Sequence, residues 1–475
     1  MSTFSGLGTA LSSLIAQRQA LEVAGQNVAN ANTVGYTRQR AELGAVAGGG
    51  TPAIFSTSDA TSGGVRVTNV ARLGDVFLDA RLRTTTSSAA SLQEIADATT
   101  ELERTLGEPS KTGLSAQLDT MWSAWNDLAA TPDKDGARAV VLEATTAVVS
   151  RIATLRTEAA TQWAGSRDKL TALVEQVNAS ATSLADLNQQ IRSITASGGS
   201  ANELLDARDA LVTQLSGLVG ATVQTRADGQ VDVLVGGTPL VSGASARSLT
   251  VGGASSFDDV TGGAQAVHVE WEPRPGSPAS RAGIDGGQVA GLLTVLGPVE
   301  TGGLYADVAR SYDDLAASLA TQVNAIHQSG RTTGGMPGGP LFSFDATSPA
   351  LTLRVVITNP ADLAAAGATE GDLGGSVAAR IADLADAGDG PSATWSTFVV
   401  DLGVRTASAG SRADVAEAAR ASAESRRVAQ TSVDTDEETV NMLAFQRAYE
   451  GAARVLTAID EMLDTLINRT GVVGR

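Results

Sequence analysis

The sequence predicts a mainly α-helical protein with an inserted antiparallel β domain, an α+β fold. Apolar residues recur at helical spacing through most of the chain, and they alternate instead after about residue 221. Both chain ends also carry a heptad-spaced apolar line. Because each pattern resumes after the one it encloses, we expect nested, discontinuous domains. They are a terminal domain of residues 1–40 and 435–475, a helical body of 41–220 and 391–434, and a mostly β outer domain of 221–390 with a helix near 304–327.

The first 30 residues predict a coiled-coil-like amphipathic helix. Its apolar residues at alternating steps of three and four are Phe4, Leu7, Leu11, Leu14, Leu21 and Val28. We call this line the N-terminal seam. Such a narrow line is typical of helices that pack along a partner helix, so we expect it to form subunit contacts as well as contacts within the chain.

A matching helix is expected from about Thr435 to Arg469, beginning at a capping box of Thr435 and Glu438. Its line, the C-terminal seam, consists of Phe445, Ala448, Ala452, Val455, Ile459, Met462 and Leu466. Burying five or six such side chains yields about 10–15 kcal/mol. Ordering about 30 residues of backbone costs on the order of 30–60 kcal/mol. We therefore expect the ends to need cover from several subunits to be stably helical.

The first helix should end in a polar turn. The residues that indicate it are Asn27, Asn30, Asn32, Thr33, Gly35 and Tyr36. Asparagine side chains compete with helical hydrogen bonds, and glycine accepts positive φ. Two interpretations stay open: a plain turn, or a hinge through which Gly35 and Tyr36 join the terminal helix to the body.

Long helices are expected after a short hairpin or extended linker that includes residues 64–70. The periodicity predicts helices over 75–106 and 114–128, and then a nearly unbroken one over 137–197. A helix of 60 residues would be about 90 Å long, so we expect an antiparallel helical arm. Ser200 and Glu203 suggest a second capping box that begins the next helix.

Alternating apolar residues then predict antiparallel strands, punctuated by glycines. The expected strands are 222–224, 231–235, 247–251, 267–271 and 351–357. Helical spacing returns around Trp395 and continues through the alanine-rich stretch to Gln430.

Composition excludes several classes of function. The net charge is −18, and the few lysines are scattered, so nucleic-acid and anionic-membrane partners are disfavoured. The chain has no cysteine, which removes disulfides and thiol chemistry. No apolar run is long enough to span a bilayer, so we expect no membrane insertion.

Motifs for catalysis and cofactors are missing. The two histidines, His268 and His327, are about 60 residues apart without cysteine partners, and structural roles explain them better than a metal site. Carboxylate pairs such as Asp313–Asp314 are sequence neighbours that point in different directions on a helix. We therefore predict no catalytic residues, no cofactor and no metal.

The asparagine run followed by Thr33, Gly35 and Tyr36, after an amphipathic helix, resembles the signature of bacterial flagellar rod, hook and hook-associated axial proteins. Residues 437–471 resemble the C-terminal segment of the same family. Residues 200–220 resemble the central helix of its hook-associated members. Rod and hook members are mostly β between their terminal helices, so the helical middle favours a hook-associated member.

This resemblance implies a non-enzymatic structural adaptor that joins hook to filament by forming a ring through its terminal helices. The implied partners are further copies of the chain, the hook protein, the next hook–filament junction protein and a flagellar export chaperone. The implied location is extracellular, at the hook–filament junction, after type III export. Alternatives are a hook or rod subunit, or a secreted adhesive protein or cell-wall hydrolase with an axial-protein tail. A hydrolase would need a carboxylate or histidine site in a pocket of the β domain.

Overall fold

The computed structural model describes residues 3–46, 63–263, 265–273, 278–371 and 373–469, and of residues 3–5 and 468–469 only the backbone. Helices dominate, and all sheets among the described residues are small and antiparallel, which confirms the predicted fold class. The helices are α1 (Thr3–Ala29), α2 (Val76–Leu106), α3 (Leu114–Ala130), α4 (Asp135–Ala196), α5 (Asn202–Val219), α6 (Phe257–Thr261), α7 (Gly287–Leu296), α8 (Leu304–His327), α9 (Pro349–Thr352), α10 (Ser376–Ala382), α11 (Pro391–Thr431) and α12 (Thr435–Asp464). A π-helical turn, Thr465–Arg469, extends the last helix.

Strands occur in pairs and in two larger sheets. In chain order they are β1 (Gln39–Ala45), β2 (Val65–Arg72), β3 (Thr222–Thr225), β4 (Val231–Val235), β5 (Thr238–Ser242), β6 (Ser245–Ala246), β7 (Leu249–Gly252), β8 (His268–Trp271), β9 (Ser280–Arg281), β10 (Gly330–Arg331), β11 (Phe342–Ser343), β12 (Arg354–Val355) and β13 (Ala366–Gly367). The larger sheets have strand orders β3-β4-β5-β6 and β7-β8-β9. β1 and β2 form the predicted hairpin, whose connection lies outside the described residues.

Helix α4 is the longest described helix, and most of the body packs along it. Its 62 residues span about 90 Å, as the sequence predicts. Buried side chains continue along it from Val141 to Ile191, because α3, α5, α8 and both sheets pack on it. Midway, the Trp163 indole is buried and donates a hydrogen bond to the Leu296 carbonyl, 3.3 Å away. The antiparallel pairing of α4 with α5 agrees with the predicted arm, and the other elements cover α4 along the rest of its length.

Two amides on α4 attach the sheets to this helix. Asn188 is buried and donates to the carbonyls of Val231 and Gly243, each 2.8 Å away. Nearly three turns earlier on the helix, Asn178 exchanges hydrogen bonds with the backbone of Leu249. The sheets are therefore held by side chains of the helix, which satisfies strand groups that would otherwise be unpaired.

Residues 221–390 contain more helix than predicted. Strands occupy mainly 222–281, whereas α7 and α8 pack against α2 and α4 as part of the body. Only Arg354–Val355 of the expected strand 351–357 is a strand, because Pro349 begins a short helix there. The apolar core is continuous from Ala98 to Leu402. The boundaries at 220 and 390 fall inside this core, and the three-domain division stays a prediction.

The chain ends lie apart from this core. α1 packs on α12 and on the β1–β2 hairpin, and α2 packs along α11. Two expected capping boxes are absent: Asp434 caps α12 through the amides of Asp436 and Glu437, and α5 begins after Ala201 without a side-chain cap. The Glu438 carboxylate instead pairs with Arg38. Asn202, the neighbour of Glu203, donates a hydrogen bond to the Val70 carbonyl.

Candidate assembly site at the chain ends

Asn27 organises the turn after α1. Its side chain is buried, donates to the Gln39 carbonyl at 2.8 Å and accepts from the Gln39 amide at 3.0 Å. The Tyr36 hydroxyl donates to the same Asn27 oxygen at 2.9 Å. Gly35 has a φ of +84°, as predicted, which lets the chain reverse. One amide thus holds the helix end, the turn and the first residue of β1 together.

The other signature residues have lesser roles. Asn30 donates to the Gln26 carbonyl, and Thr33 donates to Asn30 at 3.2 Å. Asn32 is exposed. These contacts are local, so they shape the turn without joining it to another element.

Arg38 connects this turn to the start of α12. Its guanidinium lies 2.6 Å from Glu438 Oε1 and 3.0 Å from Glu437 Oε2, while its backbone amide donates to the Thr431 carbonyl at 3.0 Å. Only 3% of the Glu438 side chain is exposed, against 57% of Glu437. Because a buried carboxylate is stable only when it is paired, Arg38 and Glu438 lock the two chain ends together.

A second ion pair connects the turn to the body. Arg72, on β2, lies 2.6 Å from Asp206 and 3.0 Å from Asp209 of α5. Asp206 also accepts from the Thr37 amide at 3.1 Å. Asn202 donates to the Val70 carbonyl at 2.9 Å. The turn therefore contacts α1, the hairpin, α5 and α12, and we call this group of contacts the joint.

Electrostatic interactions keep Tyr36 and Arg38 at this joint each in one protonation state. Burial and then the negative charges of Asp206, Glu203 and Glu438 raise the pKa of Tyr36 to about 12. Hydrogen bonding to Glu437 and Glu438 raises the pKa of Arg38 above its ordinary value. The phenol therefore stays a donor and the guanidinium stays charged throughout the physiological range.

The buried face of α1 is made of small residues. Its buried apolar members are Ala10, Ala16, Ala20, Val23 and Ala24. A Cβ built on Gly6 would lie 3.2 Å from the Ile459 side chain, so α1 and α12 approach closely there. Small residues permit this close packing but supply little apolar area for burial.

Several larger apolar residues of both helices are exposed. Leu11 is 51% exposed and Ile15 59% on α1, whereas Val440, Val455 and Met462 on α12 are 65%, 52% and 51% exposed. At 100° per residue the three α12 positions lie within an arc of about 60°. We call these five side chains the exposed stripe. They leave an apolar line on each terminal helix beside the face that the single chain buries.

The seams predicted from the sequence divide between these faces. On α12, Ala452 and Ile459 are buried and Phe445 is half-buried, whereas Ala448, Val455, Met462 and Leu466 are exposed. On α1, Leu7, Leu14 and Leu21 are half-buried and Leu11 and Val28 are exposed. The Phe4 side chain lies outside the described residues. The role of these residues in subunit contacts stays a prediction.

Sequence reasoning missed Arg38, Arg72, Asp206 and the pairing of Glu438. One signal was available: Glu438 stands seven residues before Phe445, in heptad register with Ala452 and Ile459. A charge at a seam position requires a partner. The identity of that partner could not be read from the sequence, because Arg38 is 400 residues away.

The histidines differ in surroundings. His327 is fully buried, accepts from the Ala364 amide at 2.8 Å and contacts the Gly339 carbonyl at 2.7 Å, a structural arrangement. His268 and Glu270 line an open cavity of about 550 Å³ in the β7–β9 region, with their nearest side-chain atoms 3.6 Å apart. In the part of the chain that the structure describes, no group of three metal-ligating side chains occurs. No described helix is long and apolar enough to cross a membrane.

The described chain is a mainly helical protein whose first and last helices pack on each other beside a larger helical body. The model of the flagellar hook-associated protein FlgK helical domain matches residues 99–342. The flagella basal body rod protein model matches 7–37, and the C-terminal model of the flagellar basal body rod FlgEFG proteins matches 424–469. The chain belongs to the flagellar hook-associated protein FlgK family.

Relatives support this assignment. Flagellar hook-associated protein 1 of Bacillus subtilis is 28% identical over the full length of both chains. The Escherichia coli protein of that name is 28% identical over 51% of this chain and 44% of its own length. The flagellar hook junction protein FlgK of Burkholderia pseudomallei superposes with a TM-score of 0.62 at 15% identity, covering 74% of this chain and all of that one, and supports the fold.

Proposed function

We propose that this chain is a structural adaptor of the bacterial flagellum that joins hook to filament as a ring of identical subunits. The observation that carries the proposal is the exposed stripe on two helices whose ends are fixed at a polar joint. A self-assembling subunit needs apolar surface presented in a fixed orientation. The joint fixes the orientation, and the stripe supplies the surface.

The energetics favour several copies over one. Covering a half-exposed leucine, valine or methionine stabilises a contact by about 1 kcal/mol. Five such residues give several kcal/mol per subunit, and each subunit of a closed ring gains from two neighbours. Packing of α1 on α12 within one chain leaves this surface exposed, because it lies beside the face that the two helices share.

The partners of the proposed adaptor are further copies of itself, the hook protein, the next hook–filament junction protein and an export chaperone for the C-terminal seam. We propose that it acts outside the cell, at the hook–filament junction, after type III export. The absence of cysteine suits a chain that travels unfolded, because no disulfide has to form before assembly. The names of the curated relatives support the flagellar part of this assignment.

A hook or rod subunit is less well supported. The rod-type models match only the chain ends, at 7–37 and 424–469, whereas the helical-domain model matches the body at 99–342. A hydrolase role would need a catalytic site in the cavity lined by His268 and Glu270. There the His268 ring contacts the Ala266 carbonyl, 3.0 Å away. We propose a non-enzymatic role, and incubation with purified peptidoglycan should release no soluble fragments.

Complementation tests the adaptor proposal. A strain that lacks this protein should keep its hooks and shed filament protein into the medium, and the intact gene should restore filaments. Val455→Asp should fail to restore them, because it places a charge on the exposed stripe. Arg454→Asp, on the polar side of the same helix, is the matched control and should restore them. Attached filaments in the deletion strain would contradict the proposal.

A further inference from the structure

A cavity in the body suggests a second functional surface. It has a volume of about 580 Å³ and lies where α2 meets the start of β3 and the residues before α7. This volume is in the range that holds small ligands. Two glycines, Gly220 and Gly286, form part of its wall, and a Cβ on Gly286 would lie 2.2 Å from Ser87 Oγ. The space therefore depends on glycine at that position.

One wall carries a cation without a partner. Arg83 lines the cavity, its Nε is buried and unpaired, and among the described residues it forms no hydrogen bond or ion pair. Burial lowers the pKa of Arg83. The buried Nε donor therefore lacks an acceptor, and an acceptor bound in the cavity would supply a charge-assisted hydrogen bond to this guanidinium.

The neighbouring carboxylates are already used. Asp79 is paired with Arg427 at 2.8 Å. Asp209 is paired with Arg72 at 3.0 Å and Arg208 at 3.1 Å, and Asp206 with Arg72. Each of these three aspartates is therefore paired with an arginine other than Arg83.

The rest of the lining has mixed character. Hydroxyls of Ser87, Ser88 and Ser91 lie on the same stretch of α2 as Arg83, whereas Leu92 and Val223 supply apolar wall. Asp285 is the one acid in the lining and is exposed at the rim. A cation and hydroxyl donors beside apolar wall suit a carboxylate on a short apolar stem.

We infer that this cavity binds a carboxylate carried on a short apolar stem, with Arg83 as the counter-charge. The carboxylate has two possible sources, a small free acid or an acidic side chain of a second copy of the chain. The inference uses a surface separate from the exposed stripe, so it stands or falls independently of the proposed function.

Butyrate is the probe, and butyramide is its uncharged match. Methyl resonances of Leu92 and Val223 should shift on titration with butyrate, saturably, and respond much less to butyramide. Arg83→Gln should weaken butyrate binding about tenfold, since it removes a charge-assisted hydrogen bond. Arg81→Gln, at an exposed position on the same helix, should leave binding unchanged. An equal response to both probes, or butyrate binding retained in Arg83→Gln, overturns the inference.

A second variant guards against misfolding of the first. Ser88→Leu keeps Arg83 and narrows the cavity from its rim, and it should also weaken butyrate binding; unchanged binding in this variant would count against the cavity.

Sedimentation distinguishes the two sources of the carboxylate. If a second copy supplies the carboxylate, butyrate and Arg83→Gln both weaken self-association of the full chain. If self-association is unaffected while butyrate still binds, the ligand is a small free acid.

Discussion

The body and the terminal pair are stabilised in different ways. In the body, large side chains such as Trp125, Trp163 and Leu319 are buried in one continuous core. In the terminal pair, alanines occupy the buried face, polar contacts at Asn27 and Arg38 fix the geometry, and large apolar residues remain exposed. Burial of large side chains therefore stabilises the body, whereas we propose that neighbouring subunits cover the apolar residues that the chain ends leave exposed.

The largest expected effect is in the body. Trp163→Ala should lower the free energy of unfolding by about 3–5 kcal/mol, because it leaves a cavity in the centre of the core. Urea denaturation followed by circular dichroism measures it. Val455→Ala, a truncation of an exposed residue, should change the same quantity by less than about 0.5 kcal/mol. Equal losses for both variants would remove the contrast between the two regions.

Breaking the ion pair at the joint should have the next largest effect, and a local one. Glu438→Gln should destabilise the docking of α12 by about 1.5–3 kcal/mol, because Arg38 loses a buried, charge-assisted partner. Hydrogen exchange of the α12 amides should accelerate while that of α4 is unchanged. Glu437→Gln is the matched control, since its carboxylate contacts the same arginine but is 57% exposed. Equal acceleration in both variants would show that burial of Glu438 is not decisive.

The amide at the turn provides a smaller test of the joint. Asn27→Ala removes three hydrogen bonds that tie α1 to Tyr36 and Gln39, and it should cost about 1–3 kcal/mol locally. Faster exchange in β1 and at the end of α1 is the expected readout. Asn32→Ala changes an exposed member of the same signature and should have no effect there. A similar response to both would support the plain-turn interpretation.

The smallest expected effect is on the pH dependence of the free energy of unfolding of the body. Burial, together with the nearby Arg138 charge, lowers the pKa of His327, although a contact with the Gly339 carbonyl opposes this. The folded chain therefore keeps His327 neutral, whereas the unfolded chain binds a proton below about pH 6.5. The contribution of neutral His327 to the free energy of unfolding should be fully present above that pH and should decrease as the pH falls. His327→Gln should flatten this dependence relative to His268→Gln, and an unchanged slope would argue against it.

Periodicity predicted the helices, since their burial depends on residues that are close in sequence. The bounds of α2, α4 and α8 were anticipated within a few residues, and the terminal heptads located the two helices that pair. Helix α7 was missed because its ten residues lie between glycine-rich segments that resemble loops. The capping of α12 by Asp434 was missed because Thr435 and Glu438 offered an equally good local pattern.

The site was only partly predictable for a physical reason. A heptad pattern identifies apolar residues but not the side of the helix that one chain covers and the side that it leaves exposed. Leu11 and Ile459 are equally good seam residues in the sequence, yet one is 51% exposed and the other 7%. Pairs such as Arg38 with Glu438 join residues that are 400 positions apart, and sequence spacing carries no information about them.

Thiol protection tests the central claim most directly. The chain has no cysteine, so Leu11→Cys and Val455→Cys each provide one reporter on the exposed stripe. Both should react with a maleimide in the monomer and become protected at least tenfold on purified hook ends. Arg454→Cys, on the polar side of α12, should stay reactive in both states. Protection of Arg454→Cys with continued reactivity of the stripe positions would contradict the account.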